Sequence, residues 1–295
     1  MKNSILCLLA LASPLLAGVL VPSRIPSSAK WMLHLDLDAM RSSETGKAVF
    51  SRIEADHGAK LLAMKRMFSL HLLNDLHDVT LYGDGKPEHA VALISGNFDR
   101  AHLEDVIKAS DHYATTTHSG TMIHSWKDKK KHQHAAFAAD GLFVFSAQDD
   151  LLRQALDVLK ANAPVPADPF FNADGGKPLI SASARLSEIE MPAETARTLK
   201  LASVLRLAAN ENAGRFSICA AADCTDATTA NRLRRMLDGV IAFAEAGNPD
   251  LTRLDFRYEL TPTVDQPGLS ATLSLPVPEW LSLMKDAAAK NRKNP

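Results

Sequence analysis

The stretch Ala135-Ala136-Phe137-Ala138-Ala139-Asp140-Gly141-Leu142-Phe143-Val144-Phe145-Ser146, with the run that continues it to Asn162, decides the fold. It reads as strand, tight turn, strand, cap and helix. Asp140-Gly141 is a pair suited to positive φ, and Leu142 to Phe145 runs straight out of it. Ser146 with Asp149 three residues on resembles a capping box, with Asp standing where Glu or Gln is more usual. Leu151, Leu152, Ala155, Leu156, Val158 and Leu159 then recur at helical spacing. The unit accounts for much of the fold and assigns no chemistry.

Upstream, residues 31–37 alternate. Trp31, Leu33, Leu35 and Leu37 face one way and Met32, His34 and Asp36 the other, which predicts a half-buried strand. Asp38 is placed to cap the next helix, which carries Met40, Val49, Phe50 and Ile53. A second helix is predicted over 59–73, with Leu61, Leu62, Met64, Met67, Phe68 and Leu72 on a wide apolar face. Strands at 79–82 and 89–95 flank a Gly-Asp-Gly-Lys-Pro turn. Asp99 precedes a short helix, and strands at 113–117 and 122–126 flank Ser119-Gly120. A charged loop over 127–134 leads back into the opening unit.

Downstream, Pro164, Pro166, Pro169, Gly175 and Gly176 crowd into residues 163–177, the clearest domain boundary in the chain. Beyond it the pattern predicts a strand over 179–186 and an Ala/Leu-rich helix from Pro192 through 193–209. A strand over 216–222 and a long helix over 226–246 follow. Strands at 254–261 and 269–275 then close a hairpin, before a final helix that carries Trp280, Leu283 and Met284. The organisation expected is a first lobe over 31–162, a linker over 163–177, a second lobe over 178–290 and a basic tail over 291–295. Leu152-Arg153-Gln154-Ala155-Leu156-Asp157 matches Leu233-Arg234-Arg235-Met236-Leu237-Asp238, which suggests two copies of one unit. The fold class expected is α+β: two lobes, each a mainly antiparallel sheet with helices on one face. Leu33, Leu35, Leu81, Leu93, Phe137, Phe143, Phe145, Ile218, Phe256 and Leu273 are the expected sheet core.

A chain of 295 residues, 46% hydrophobic and 23% charged, can bury a sizeable core. A formal net charge of −1 points neither to nucleic acid nor to an anionic membrane surface. Lys2 followed by an apolar run over 5–16 reads as a signal segment. Cleavage is expected after Ala17, with a later site near Ala29 as the alternative and an uncleaved anchor as the other reading. A Ser/Pro-containing linker occupies 18–30. The run is too short and interrupted to span a bilayer comfortably, so no transmembrane helix is expected after cleavage. The expected location is periplasmic or extracellular. Cys7 leaves with the signal. Cys219 and Cys224, five apart on a strand, sit about 16 Å from each other and face opposite ways, so both are expected free.

Trp31-Met32-Leu33-His34-Leu35-Asp36, Gly96-Asn97-Phe98-Asp99, Ile123-His124-Ser125-Trp126 and the opening unit together resemble exported α+β proteins of bacteria. The resemblance covers the first lobe and brings no activity or catalytic residue with it.

All eleven histidines lie between His34 and His134. Imidazoles in an exported protein are candidate ligands for zinc or copper. His132 and His134 on a strand would point the same way, although neighbouring lysines oppose a cation. His34 and Asp36 form a second candidate set, with Asp38 if the strand extends that far. His118 and His124 flank a hairpin turn and are expected to meet across it. His71 and His77 sit around a helix end, where a positive charge is favourable. There is no Gly-x-Ser-x-Gly elbow, His-Glu-x-x-His, P-loop or dinucleotide fingerprint. A Ser-His-Asp site assembled in three dimensions stays open. The reading that follows is an exported, non-catalytic protein that binds a protein partner or small ligand in the cell envelope. The alternative is a metal-binding protein or metal-dependent hydrolase using first-lobe histidines.

Overall fold

The opening unit folds as its chemistry dictates. Strands β6 (Lys131–Ala139) and β7 (Leu142–Ser146) form a hairpin closed by Asp140 and Gly141, with Gly141 at φ 73°. Helix α5 (Asp149–Ala161) then lies back over the sheet and buries Leu152, Ala155 and Leu156. The cap differs from the expected box. The Ser146 hydroxyl accepts from Gln148 N at 3.1 Å and donates to Ala90 O at 2.8 Å, so it ties the turn to the next strand and does not reach Asp149.

The computed structural model describes residues 18–129, 131–161, 178–189, 201–247, 253–263 and 267–293. The expected signal segment, the expected linker over 163–177 and the stretch 190–200 lie outside the described residues. The remaining strands are β1 (Trp31–Asp36), β2 (Leu76–Gly83), β3 (Ala90–Gly96), β4 (Ala114–His118), β5 (Thr121–Asp128), β8 (Ile180–Arg185), β9 (Ala202–Asn212), β10 (Arg215–Cys224), β11 (Arg257–Pro262) and β12 (Gly268–Pro276). The remaining helices are α1 (Leu37–Ser42), α2 (Glu44–Phe68), α3 (Leu72–Asp75), α4 (Arg100–Lys108), α6 (Ala227–Gly247) and α7 (Val277–Lys293).

The class is α+β, and the twelve strands among the described residues belong to one sheet. Its order is β11-β12-β10-β9-β8-β1-β2-β3-β7-β6-β5-β4, with every pairing antiparallel. The two expected lobes therefore do not carry separate sheets. β1 pairs with β8, Trp31 to Leu35 against Ala184 to Ile180, and joins them through the middle. The matched hexapeptides do not follow the strand order either. One lies on α5, after the strand that returns to β3, and the other on α6, before the crossing to the β11 edge.

In the first half helices cover both faces. On one face α5 packs with Met32, Tyr82, Val91, Leu93, Ile123 and Val144. On the other, α1, α2 and α3 pack with Leu35, Val79 and Ile94. This overturns the half-exposed reading of β1. Met32, His34 and Asp36 are its more buried residues, because a central strand covered on both sides has no solvent face. In the second half α6 and α7 share the α1 face: Leu233 packs with Ala184, Leu205 and Ala222, and Trp280 stacks on Phe216 at 4.3 Å between ring centroids.

Other boundaries shift for local reasons. Asp36, not Asp38, caps α1 by accepting from Ala39 N at 2.8 Å. The expected break near residue 59 is absent, and α2 runs unbroken for 25 residues. Its outer half leaves Leu62, Met64 and Met67, of the apolar face expected there, exposed. His102 Nε2–H donates to Met67 O at 2.9 Å and so satisfies one of the last carbonyls of α2. Residues 202–209 are strand and not helix. The run is rich in Ala and Leu, but its neighbours β8 and β10 offer ladders on both edges, and tertiary pairing overrides propensity. The charged loop over 127–134 is also mostly strand, with Lys127 paired to His132 and Asp128 to Lys131. Of the expected core, Leu93 and Phe137 are buried, whereas Ile218 is exposed. Cys219 and Cys224 lie on the one strand β10, and both are free.

Two long-range polar contacts hold this sheet together. Arg206 on β9 makes a bidentate pair with Asp223 on β10, both nearly buried. Glu211, at the end of β9, accepts from the backbone N–H of Glu44 and Thr45, each at 2.8 Å, and with Ser43 caps α2. Burial opposes ionisation of Glu211, but hydrogen bonds from Thr45 and Glu44 and the charge of Lys47 outweigh it and hold the carboxyl below its usual range. We expect Glu211→Ala to cost about 1–2 kcal/mol in urea unfolding at pH 7, the loss of a helix cap. A depressed carboxyl stabilises the fold above its unfolded value of ~4.3, and that contribution disappears as pH falls through the folded value. The difference between wild type and variant should therefore shrink on acidification below about pH 4.

Candidate functional site

The expected ligand residues fall at separate places. His34 is 1% exposed, and both of its ring nitrogens are engaged. Nε2 lies 2.9 Å from Gly18 O, and because a carbonyl only accepts, Nε2 carries the proton. In the neutral ring the Thr80 hydroxyl donates to Nδ1 at 2.9 Å. His34 thus fastens the N-terminal segment onto the sheet and offers no lone pair to a metal. Asp36, beside it, is 4% exposed and occupied as a helix cap, with burial raising its pKa against the lowering effect of the Ala39 N–H.

His118 and His124 do not meet. In the β4–β5 register His118 faces Thr121 while His124 faces Thr115, so strand parity sends them to opposite faces. His118 Nε2–H donates to Asp157 Oδ1 at 2.8 Å, and the Ser119 hydroxyl donates to the same oxygen at 2.7 Å. Those two contacts, Ser119 first, hold the Asp157 carboxyl below its usual range. His124, fully buried on the other face, is hydrogen-bonded to Tyr113 Oη at 3.0 Å, and burial lowers its pKa. His132 and His134 do point the same way, with rings 6.5 Å apart and 16° from parallel. His132 is exposed. His71 precedes α3, at the end where positive charge is not favoured, and His77 Nδ1 lies 3.1 Å from Asp38 Oδ2. Among the described residues no group of three or more His, Cys, Asp or Glu is arranged to hold a metal ion.

The nearest arrangement to a Ser-His-Asp site is Ser125, His134 and Asp149. The Ser125 hydroxyl and His134 Nδ1 are 2.8 Å apart, but Asp149 Oδ1 approaches that same nitrogen, at 3.8 Å. A relay needs the hydroxyl on one ring nitrogen and the carboxylate on the other, so these residues cannot pass a proton along the ring.

Among the described residues two concave places and one surface stand out, besides a smaller hollow at the start of α6. A cavity of about 480 Å³ lies between α5, the β6–β7 hairpin and the N-terminal segment, with Leu142, Leu156 and Leu159 as apolar wall and Arg24 and Lys160 as cations. A second, of about 420 Å³, is acidic and lined by Val19, Asp36, Asp38, Ser42, Ser43 and Glu211. The surface is the α1 face of the second half. Ile218, Leu273 and Tyr258 align across β10, β12 and β11, and Leu207 extends the patch on β9. Ile218, Leu207 and Tyr258 are all exposed. On α6, Met236, Val240 and Phe243 form a stripe beside the one that packs on the sheet, with Val240 64% and Phe243 80% exposed. This surface was missed because β9 reads as helix. The signal that would have found it is the alternation of Leu205 and Leu207 with Val204 and Arg206.

No family model and no curated protein matches the chain. Solved structures do. Crystal form III of TP0453 superposes with a TM-score of 0.53 at 12% identity, covering 92% of this chain and 99% of that one. Crystal form IV gives 0.52 at 12% identity, covering 91% and 97%. The likeness is one of fold, and it extends over both halves of the sheet. No helix among the described residues is long and apolar enough to cross a membrane.

Burial lowers the pKa of both His124 and His134, in each case as the leading cause. Their imidazole titrations, followed by NMR, should have midpoints below the ordinary ~6.5. The unfolded chain then binds these protons at a higher pH than the folded one, so stability falls as pH drops through about 6.5. Urea midpoints at pH 7.5 and 5.5 should differ in that direction, and less so in His124→Gln.

Proposed function

We propose that this chain is an exported, non-catalytic binding protein of the cell envelope, and that the α1 face of its second half receives a partner with an apolar surface. The observation that carries the reading is the exposure of Leu207, Ile218 and Tyr258 on one face of the sheet, together with that of Val240 and Phe243 on α6, the helix that packs on that face. Large apolar side chains gathered on one face are what an interaction surface requires, whereas single exposed ones are ordinary. The signal-like segment at the start of the chain supports export. The ladder contacts beneath the patch make it a preformed platform, so binding would order few backbone groups.

A second reading is favoured by the cavity on α5. Its apolar wall and two cations suit a small molecule with an apolar body and one anionic group. Both readings are of binding, and they use opposite faces of the sheet.

A photo-crosslinking side chain at Ile218 or Phe243, in cells that make the full chain, should give a discrete adduct in the envelope fraction. The same probe at the exposed Lys60 of α2 should not. Leu207→Asp with Tyr258→Asp should reduce the adduct at least tenfold without changing the circular dichroism. Equal labelling from all three positions would sink the apolar-face reading.

A further inference from the structure

Gly18 is held in an unusual place. Gly18 has φ 88°, and its carbonyl is held by His34. A β-carbon on Gly18 would stand 2.4 Å from Asp36 Oδ1. Its α-carbon therefore lies within about 4 Å of that oxygen, and its nitrogen no more than one ~1.46 Å bond further. Asp36 is buried, and in the β1–β2 register it directly faces a second buried carboxylate, Asp78. Asp38 and Glu211 line the adjoining pocket. Two of these four are matched and lie outside the central pair: Arg41 and His77 contact Asp38, and backbone N–H groups hold Glu211. Among the described residues Asp36 has no ion pair, and His34 is the group of possible positive charge that acts on it.

Buried carboxylates facing each other without a cation are costly. The chain supplies a cation at this spot if it is cut where its sequence suggests. We propose that cleavage after Ala17 frees the α-ammonium of Gly18, and that this ammonium pairs with Asp36 and completes the fold of the mature protein. The step is hydrolysis of the Ala17–Gly18 peptide bond by a signal peptidase. Water is consumed, Ala17 leaves with the carboxylate, and Gly18 keeps the amine, which is protonated at neutral pH. The inference rests on the exported reading above. It also fixes the cut: the alternative near Ala29 would remove the segment that His34 holds, and with it the core residues Ile25 and Ala29.

The acidic surroundings favour the charged amine. Asp36 on β1, Asp78 on β2, Asp38 on α1 and Glu211 on β9 stand here against His34 on β1, with Arg41 and His77 engaged by Asp38 and Lys47 acting on Glu211. The α-amino pKa should then rise above its ordinary ~7.7–8.0. A raised amine stabilises the fold fully below its unfolded value, and that contribution is lost as pH climbs through the folded one.

The test compares three forms of the mature chain: one beginning at Gly18, the same chain acetylated at Gly18, and one extended by Ala17. The free Gly18 form should melt about 2–4 °C higher than the other two at pH 7. The gap should close at pH 10 and vanish in Asp36→Asn, which keeps the helix cap. Equal melting of the three forms at pH 7 would overturn the inference, whatever the export status. N-terminal sequencing of the protein from fractionated cells separates the two claims. Gly18 as first residue in the envelope supports both. A first residue at Lys30 overturns the pairing and leaves export standing. Met1 retained on cytoplasmic protein overturns the export reading itself.

Discussion

The antiparallel ladder between β1 and β8 is the contact on which the rest of this structure depends. It pairs Trp31 to Leu35 with Ala184 to Ile180 and turns two α+β halves into one sheet. A strand at the edge of a small sheet would keep one row of backbone groups for solvent. Here β1 lies between β2 and β8, so both edges are used and both faces are covered. Everything polar on β1 is consequently inside the protein and must find a partner there.

That constraint explains the polar row on the α5 face. His34, Asp36, Asp78, Thr80, Ser181 and Ser183 are all buried, though each would be ordinary on an exposed strand. Backbone and hydroxyl groups satisfy His34, the start of α1 satisfies part of Asp36, and the N-terminal segment closes over both. Similar economy appears at Glu211, which ends a strand of one half and caps a helix of the other. Such contacts link the halves more specifically than apolar packing could, because each requires one register of the ladder.

The histidine bias of the first half has a structural account. His34, His124 and His134 are held by hydroxyl or carbonyl groups inside or at the edge of the sheet, and His102 and His118 tie helices to their neighbours. Dispersal over opposite faces follows from strand parity, since an even or odd offset decides the face before any side-chain chemistry acts. The apolar character is concentrated at the far end of the sheet instead, where β9 to β12 and α6 carry exposed Leu, Ile, Tyr and Phe.

Much of this was determined by the sequence alone. Turn pairs such as Asp140-Gly141 and Ser119-Gly120 allow the backbone little else, and the spacing of Leu151 to Leu159 specifies a helix wherever it is placed. Local rules therefore yielded the hairpins, α5, α6 and the free cysteines. They did not yield the joining of the halves, because a ladder between residues about 150 apart in the chain has no local signature. For the same reason β9 reads as helix, His34 and Asp36 read as exposed, and His118 and His124 read as neighbours. Tertiary structure alone decided which face each residue meets, because burial is a property of what lies on the far side of a strand. It also decided that Gly18 stands against Asp36, since only the folded sheet brings that glycine to a buried carboxylate.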